Sequence, residues 1–423
     1  MRIRATYIIV AAITLLLGSW RHALAHSMFQ SAVLLDYHAR SVDAELQLPP
    51  SRLEKALGRT IGTESLGDVR EQLETYVLHR IIVRTPSQSE WKVQLSRPIS
   101  WETIDGAPYV VAHLILLPPF GASVRGLTLE DDVITDSLPN HVVLVSVRSD
   151  WNSSTFANDP ELIGVLNGED RSIEINRGSS DWARGFTSIF HLGVRHIAEG
   201  TDHLLFLLAL LLPAPLFYRT GRWNGFAGVR HGFTQILKVV TSFTIGHSIT
   251  LALAASGVVH VPGRPIEVLI AVSILISAVH AARPLFPGRE PYIAGGFGLI
   301  HGLAFASTLA ELGLHRWERV AGIFAFNVGI EAMQLVVVVC IMPSLMLLSN
   351  TPLYAPFRVA GAILAGLSAC GWILERILDR TFHVDVIVDC VANHAILFVL
   401  SLFLISLVAN LLLRQRRIHS CAT

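Results

Sequence analysis

At 423 residues, 52% of them hydrophobic, and with a mean hydropathy of +0.50, the chain is too apolar to be a soluble protein of this size. Its 33 basic and 33 acidic side chains cancel, which excludes a generally basic nucleic-acid binder. Lysine is nearly absent and no GxxxxGK(S/T) phosphate loop occurs, so this chain alone is not ATP-driven.

Residues 1–25 read as a secretory signal: MRIR is the basic start, ATYIIVAAITLLLG the apolar stretch, and Ala23-Leu24-Ala25 the cleavage site. Cleavage there makes His26 the mature N-terminus, where a free amine beside an imidazole can chelate a divalent metal. From 26 to 181 the pattern is one of short alternating stretches: SMFQSAVLLDYHA, SVDAELQL, EWKVQLSRPIS, YVVAHLILL, SVRGLTLE and HVVLVSVRS. They predict a small extracytoplasmic antiparallel β-sandwich-like domain. One helix is expected in LGDVREQLETYVLHRIIV, where Leu66, Val69, Leu73, Tyr76 and Val77 recur at helical spacing. The histidines here (His38, His79, His113, His141) are scattered and read as ordinary surface or core residues. All four cysteines (Cys340, Cys370, Cys390, Cys421) come later, so no disulfide framework braces this domain and no CxxC motif exists.

Residues 182–413 predict an all-α polytopic bundle of about seven spans, near 186–212, 233–256, 266–283, 291–311, 320–348, 356–378 and 393–413. With the β domain exported, the inside loops would hold Arg219, Arg222 and Arg230, then Arg283 and Arg289, then Arg358. The sixth-to-seventh connection is acidic, with Asp379, Asp385 and Asp389. This obeys the positive-inside rule and puts the basic tail, 414–423, in the cytoplasm. A multi-pass protein of a bacterial-type inner membrane follows, with the lipid bilayer as a partner and no nucleic acid.

Ionisable residues in such spans are costly and mark function. On one continuous helix at about 100° per residue, His191, Arg195, His196, Glu199, Asp202 and His203 share a face, which must then look into the bundle. His247 lies in the second span and His301 in the fourth. The fifth span carries Asn327, Glu331 and Gln334 on one face. Imidazole and carboxylate without thiolate suit a divalent transition metal. The glycines beside His247 and His301 let helix backbones approach closely. His196, Asp202 and His203 are the strongest candidate ligands, followed by His191, His247, His301 and Glu331. Arg195, Glu199 and Asn327 are supporting residues, the first two as an ion pair.

The run His196-Ile-Ala-Glu-Gly200-Thr-Asp202-His203 reads HxxxGxDH and resembles the signature span of the HupE/UreJ family. His301-Gly302 resembles a second family motif, although a further nearby histidine is replaced here by LAFAS and a proline after the first histidine by Ile197. The resemblance covers roughly 185–413 and implies a nickel or cobalt permease, with His196, Asp202 and His203 handling metal and metalloenzyme maturation proteins as partners. It marks a divergent branch with an extra exported domain. Two other readings compete: an intramembrane zinc hydrolase, with His203, His247 and His301 as ligands and Glu199 or Asp202 as base, and a metal sensor or metalloenzyme assembly factor.

Overall fold

The computed structural model describes residues 30–61, 66–256, 259, 261–305, 309, 311–380 and 394–421. The expected signal sequence, His26, Asp385 and Asp389 lie outside the described residues. Two compact units form, one from Met1–Asp150 with Asp159–Ser180, the other from Trp151–Asn158 with Asp181–Thr423.

The first unit contains β1 (Ser31–Tyr37), β2 (Val42–Leu48), α1 (Pro50–Leu57), α2 (Leu66–Arg80), β3 (Ile81–Arg84), β4 (Lys92–Ile104), β5 (Ala107–Leu117), β6 (Gly126–Asp131), β7 (Val143–Asp150), β8 (Glu161–Leu166) and β9 (Ser172–Asn176). Strict alternation of buried and half-buried residues in β1 and β2 is the period-two signature read from the sequence. Six strands form one sheet in the order β4-β5-β2-β1-β7-β8, and three form another, β3-β6-β9. Both feed one core: Val33, Leu35 and Leu46 from the larger sheet and Val83, Leu129 and Ile175 from the smaller. The β-rich expectation holds, with one departure: β1 and β7 run parallel. The expected helix also stops sooner. It buries Val69, Leu73 and Val77, then gives way at Ile81-Ile82-Val83, whose β-branched side chains favour the strand β3.

The second unit contains α3 (Trp182–Glu199), α4 (Thr201–Leu211), β10 (Leu216–Arg219), β11 (Arg222–Phe226), α5 (Val229–Ala255), α6 (Gly263–Ala282), α7 (Glu290–Ala304), α8 (Arg316–Ser349), α9 (Tyr354–Leu378) and α10 (Ala395–Cys421). Among the described residues, five helices are long and apolar enough to cross a membrane: α5, α6, α8, α9 and α10 as far as Leu413. Two of the seven expected spans have another form. The fourth is the 15-residue α7, shorter than the ~20 residues a span needs. The first is not continuous. Gly200 takes an extended backbone (φ −76°, ψ 92°) that ends α3 and starts α4.

Helices meet closely where glycine removes the side chain. A β-carbon at Gly246 of α5 would collide with the Gly295 carbonyl of α7, and one at Gly298 with the Phe243 carbonyl of α5. Gly193 of α3 and Gly329 of α8 stand in the same relation to Phe326 and Phe190. These notches set α5 against α7 and α3 against α8, which brings side chains from four helices within reach of one another.

The excursion Trp151–Asn158, between β7 and β8, packs wholly within the helical unit. Trp151 is buried; its Nε1–H donates to the Trp182 carbonyl at 2.8 Å and its indole fills the space left by Gly185. Ala157 N–H donates to the Leu312 carbonyl at 3.2 Å. Deleting so large a buried ring costs about 3–5 kcal/mol in typical cores.

Candidate metal centre

The break at Gly200 builds the centre. A β-carbon there would lie 2.5 Å from the His196 carbonyl oxygen and crowd His203 Nδ1 at 3.0 Å and Asp202 Oδ1 at 3.3 Å, so glycine is what lets the backbone turn here beside that pair. Asp202 sits in the first turn of α4, where a carboxylate is favoured by the free N–H groups. Its Oδ1 accepts from the His203 backbone N–H and from His203 Nδ1–H, both at 2.8 Å. Asp202 therefore orients His203 and fixes its proton on Nδ1, leaving the Nε2 lone pair bare.

Two more rings are held the same way. On α5, His247 Nδ1 is 3.2 Å from Asn327 Oδ1, and Asn327 is turned to accept because its own Nδ2 donates to the Ile323 carbonyl at 2.8 Å. On α7, His301 Nε2 is 2.9 Å from Ser273 Oγ of α6, whose hydroxyl donates to the Ile270 carbonyl at 2.7 Å. Ser273 can then only accept, and His301 keeps its proton on Nε2. In each ring the second nitrogen, His203 Nε2, His247 Nε2 or His301 Nδ1, is buried and has no hydrogen-bond partner among the described residues. His196 Nε2 is in the same position. Buried polar atoms are almost always satisfied, so four orphaned ring nitrogens together need an explanation.

The rings are neighbours. Centroids of His196 and His203 are 4.6 Å apart, His203 and His301 5.0 Å, and His196 and His247 6.3 Å. Phenylalanines wall them: Phe305 lies 4.3 Å and Phe326 5.4 Å from His196, and Phe206 and Phe243 each 5.2 Å from His301. Among the described residues no three His, Cys, Asp or Glu side chains form a group set to hold a metal ion. The cluster is a set of adjacent donors rather than a closed coordination sphere.

The other expected residues separate from it. His191 is exposed on α3, and Arg195 pairs with Glu199 at 3.1 Å, both more than two-thirds exposed. The single six-residue face is thus not formed: within α3 itself His191, Arg195 and Glu199 share an exposed face from which His196 is turned aside, and the break at Gly200 re-aims α4 so that His203 comes beside His196. Glu331 accepts from Thr241 at 3.1 Å, and Gln334 lies 3.3 Å from Thr244. Sequence reasoning missed Ser273. Its signal was faint, a serine pair four residues apart in an apolar helix, and hydroxyls there commonly bond back to their own helix.

Residues 171–376 match the model of the family described as HupE / UreJ protein. No curated protein and no solved structure matches the chain. The match spans α3 to α9 and includes every histidine of the cluster. The chain is a multi-pass membrane protein, and its helices from α3 to α9 are similar to the HupE/UreJ family.

Proposed function

We propose that the chain is a secondary permease for a divalent transition-metal ion, nickel or cobalt, which passes through the cluster of His196, His203, His247 and His301. The observation that carries this reading is the set of orphaned ring nitrogens, three of them left bare by partners that hold the proton on the opposite nitrogen. Imidazole donors in a phenylalanine-walled pocket suit these metals, and adjacent donors without a closed sphere suit an ion that must leave again. The β unit stands outside and the basic tail inside, following the arginine distribution. The hydrolase reading is weaker on a specific observation: both candidate bases are engaged, Asp202 with His203 and Glu199 with Arg195. The test is nickel and cobalt uptake in whole cells, with membrane insertion checked alongside. His203→Ala and Asp202→Ala are expected to abolish uptake with insertion intact, and normal uptake in both overturns the assignment.

A further inference from the structure

A further buried histidine lies elsewhere in the helical unit. His280, in the last turn of α6, is fully buried, with its ring stacked 3.9 Å from Phe286 and edge-on to Trp223 at 5.2 Å. Its Nδ1 accepts backbone N–H groups from Leu285 at 3.1 Å and Phe286 at 3.4 Å. The proton therefore sits on Nε2, which has no hydrogen-bond partner among the described residues and faces Glu290 Oε1 across 3.6 Å. A metal-bound histidine donates from its other nitrogen; here that nitrogen is capped by two donors. His280 is a donor aimed at a carboxylate, and the carboxylate is the group that can take a cation.

Glu290 opens α7 and is itself buried. Its Oε2 accepts from Gln235 Nε2 at 3.0 Å, which leaves the Gln235 amide oxygen for another partner. Glu290, Gln235 and His280 line a cavity of about 310 Å³ with Trp223 and His231. At about 30 Å³ per water, that volume holds an ion with its first hydration shell. Gln235 precedes His247 by 12 residues on α5, about 18 Å along the axis. Between them runs a polar seam, His247 with Asn327, Thr244 with Gln334 and Thr241 with Glu331. Gln235 and Thr241 also line one common recess.

We propose that Glu290, positioned by His280 and joined by the Gln235 amide oxygen, forms a second divalent-cation site at the far end of this seam from the histidine cluster. The proposal rests on the permease reading above. Oxygen donors hold nickel and cobalt less tightly than imidazole does, so the second site is the weaker and favours release.

The test is titration of the purified full-length protein with Co²⁺ alone, followed by calorimetry and visible absorption, alongside whole-cell cobalt uptake. The wild type should show a tighter class of sites with the strong bands of four-coordinate Co²⁺ at the four imidazoles, and a weaker one with the faint bands of octahedral oxygen coordination. E290Q should remove the weaker class, keep the tighter one, and lower uptake by at least about tenfold. H203A should do the reverse to the two classes. A single class in the wild type, unchanged by E290Q, overturns the second site and leaves the histidine cluster standing; no cobalt binding at all overturns the permease reading as well. If E290Q fails to insert, Q235A decides: weakened binding at the lower-affinity class supports the site, and unchanged binding overturns it.

Discussion

His203 and His280 are both buried histidines in one helical unit, and they are set up for opposite tasks. His203 donates a hydrogen bond from Nδ1–H to Asp202 and keeps a bare Nε2 lone pair. His280 accepts hydrogen bonds from two backbone N–H groups at Nδ1 and presents its Nε2–H instead. Burial does not separate them, since both lie at or below 6% exposure. What separates them is one neighbour: a carboxylate that accepts, or a chain turn that donates. The lesson is that a buried histidine is read as ligand or positioner from the partner of its satisfied nitrogen.

The comparison breaks first at Asp202. Asp202→Asn keeps the shape but offers an amide in place of a pure acceptor, so His203 loses its enforced proton position. Cobalt affinity and uptake should fall by roughly 10–100-fold, read by titration and whole-cell uptake. Unchanged affinity would show that the proton position of His203 does not matter. Asn327→Leu and Ser273→Ala remove the corresponding acceptors of His247 and His301, each leaving a buried N–H unpaired. A loss of about tenfold in cobalt affinity is expected for either, measured the same way.

The β unit supplies a third kind of buried histidine, one without an orphaned nitrogen. His141 Nε2 is 2.8 Å from Ser31 Oγ, and burial pushes its pKa down from 6.5 to about 4. The unfolded chain then binds the extra proton, so the contribution of His141 to stability is intact above pH 6.5 and is lost as the pH falls toward 4. Asp131 has the opposite sign. Burial raises it from 3.8 to about 6, so its contribution is present below 3.8 and is lost as pH rises through 6. The two slopes, at most about 1.4 kcal/mol per pH unit each, oppose one another between those limits. The opening free energy of the β1 and β7 amides, taken from hydrogen exchange in the full chain after correction for the intrinsic base-catalysed rate, should show little pH dependence in the wild type. Stability should rise with pH in Asp131→Asn and fall with pH in His141→Gln. The smallest effect is expected at His280→Phe, a loss of roughly 2–10-fold confined to the weaker cobalt class.

Much of this was legible in the sequence. HxxxGxDH names His196, Asp202 and His203, and histidines inside apolar spans name His247 and His301, because polarity is so costly there. The break at Gly200 was not, since one glycine within a helical pattern costs only about 1 kcal/mol and so predicts no interruption. With continuity assumed, Asp202 and His203 were placed on the face of Arg195 and Glu199, which is in fact exposed. Ser273 was hidden because a serine's usual partner is its own helix, and Glu290 because it falls between the expected spans 266–283 and 291–311. The proton positions are tertiary facts: no local pattern tells which nitrogen of His280 meets an amide.

The short excursion Trp151–Asn158 changes what separating the two units entails. The polypeptide passes from one unit to the other after Asp150, after Asn158 and again after Ser180. A protease cutting after Ser180 frees a fragment that still carries Trp151, and parting it from the helices means extracting that indole from beside Gly185. A truncation that discards everything before Asp181 removes the plug together with the strands. A fair excision of the β unit must keep Trp151–Asn158, supplied on a new linker, so that any change in cobalt uptake or binding reports on the strands and not on helices that have lost the Trp151 side chain.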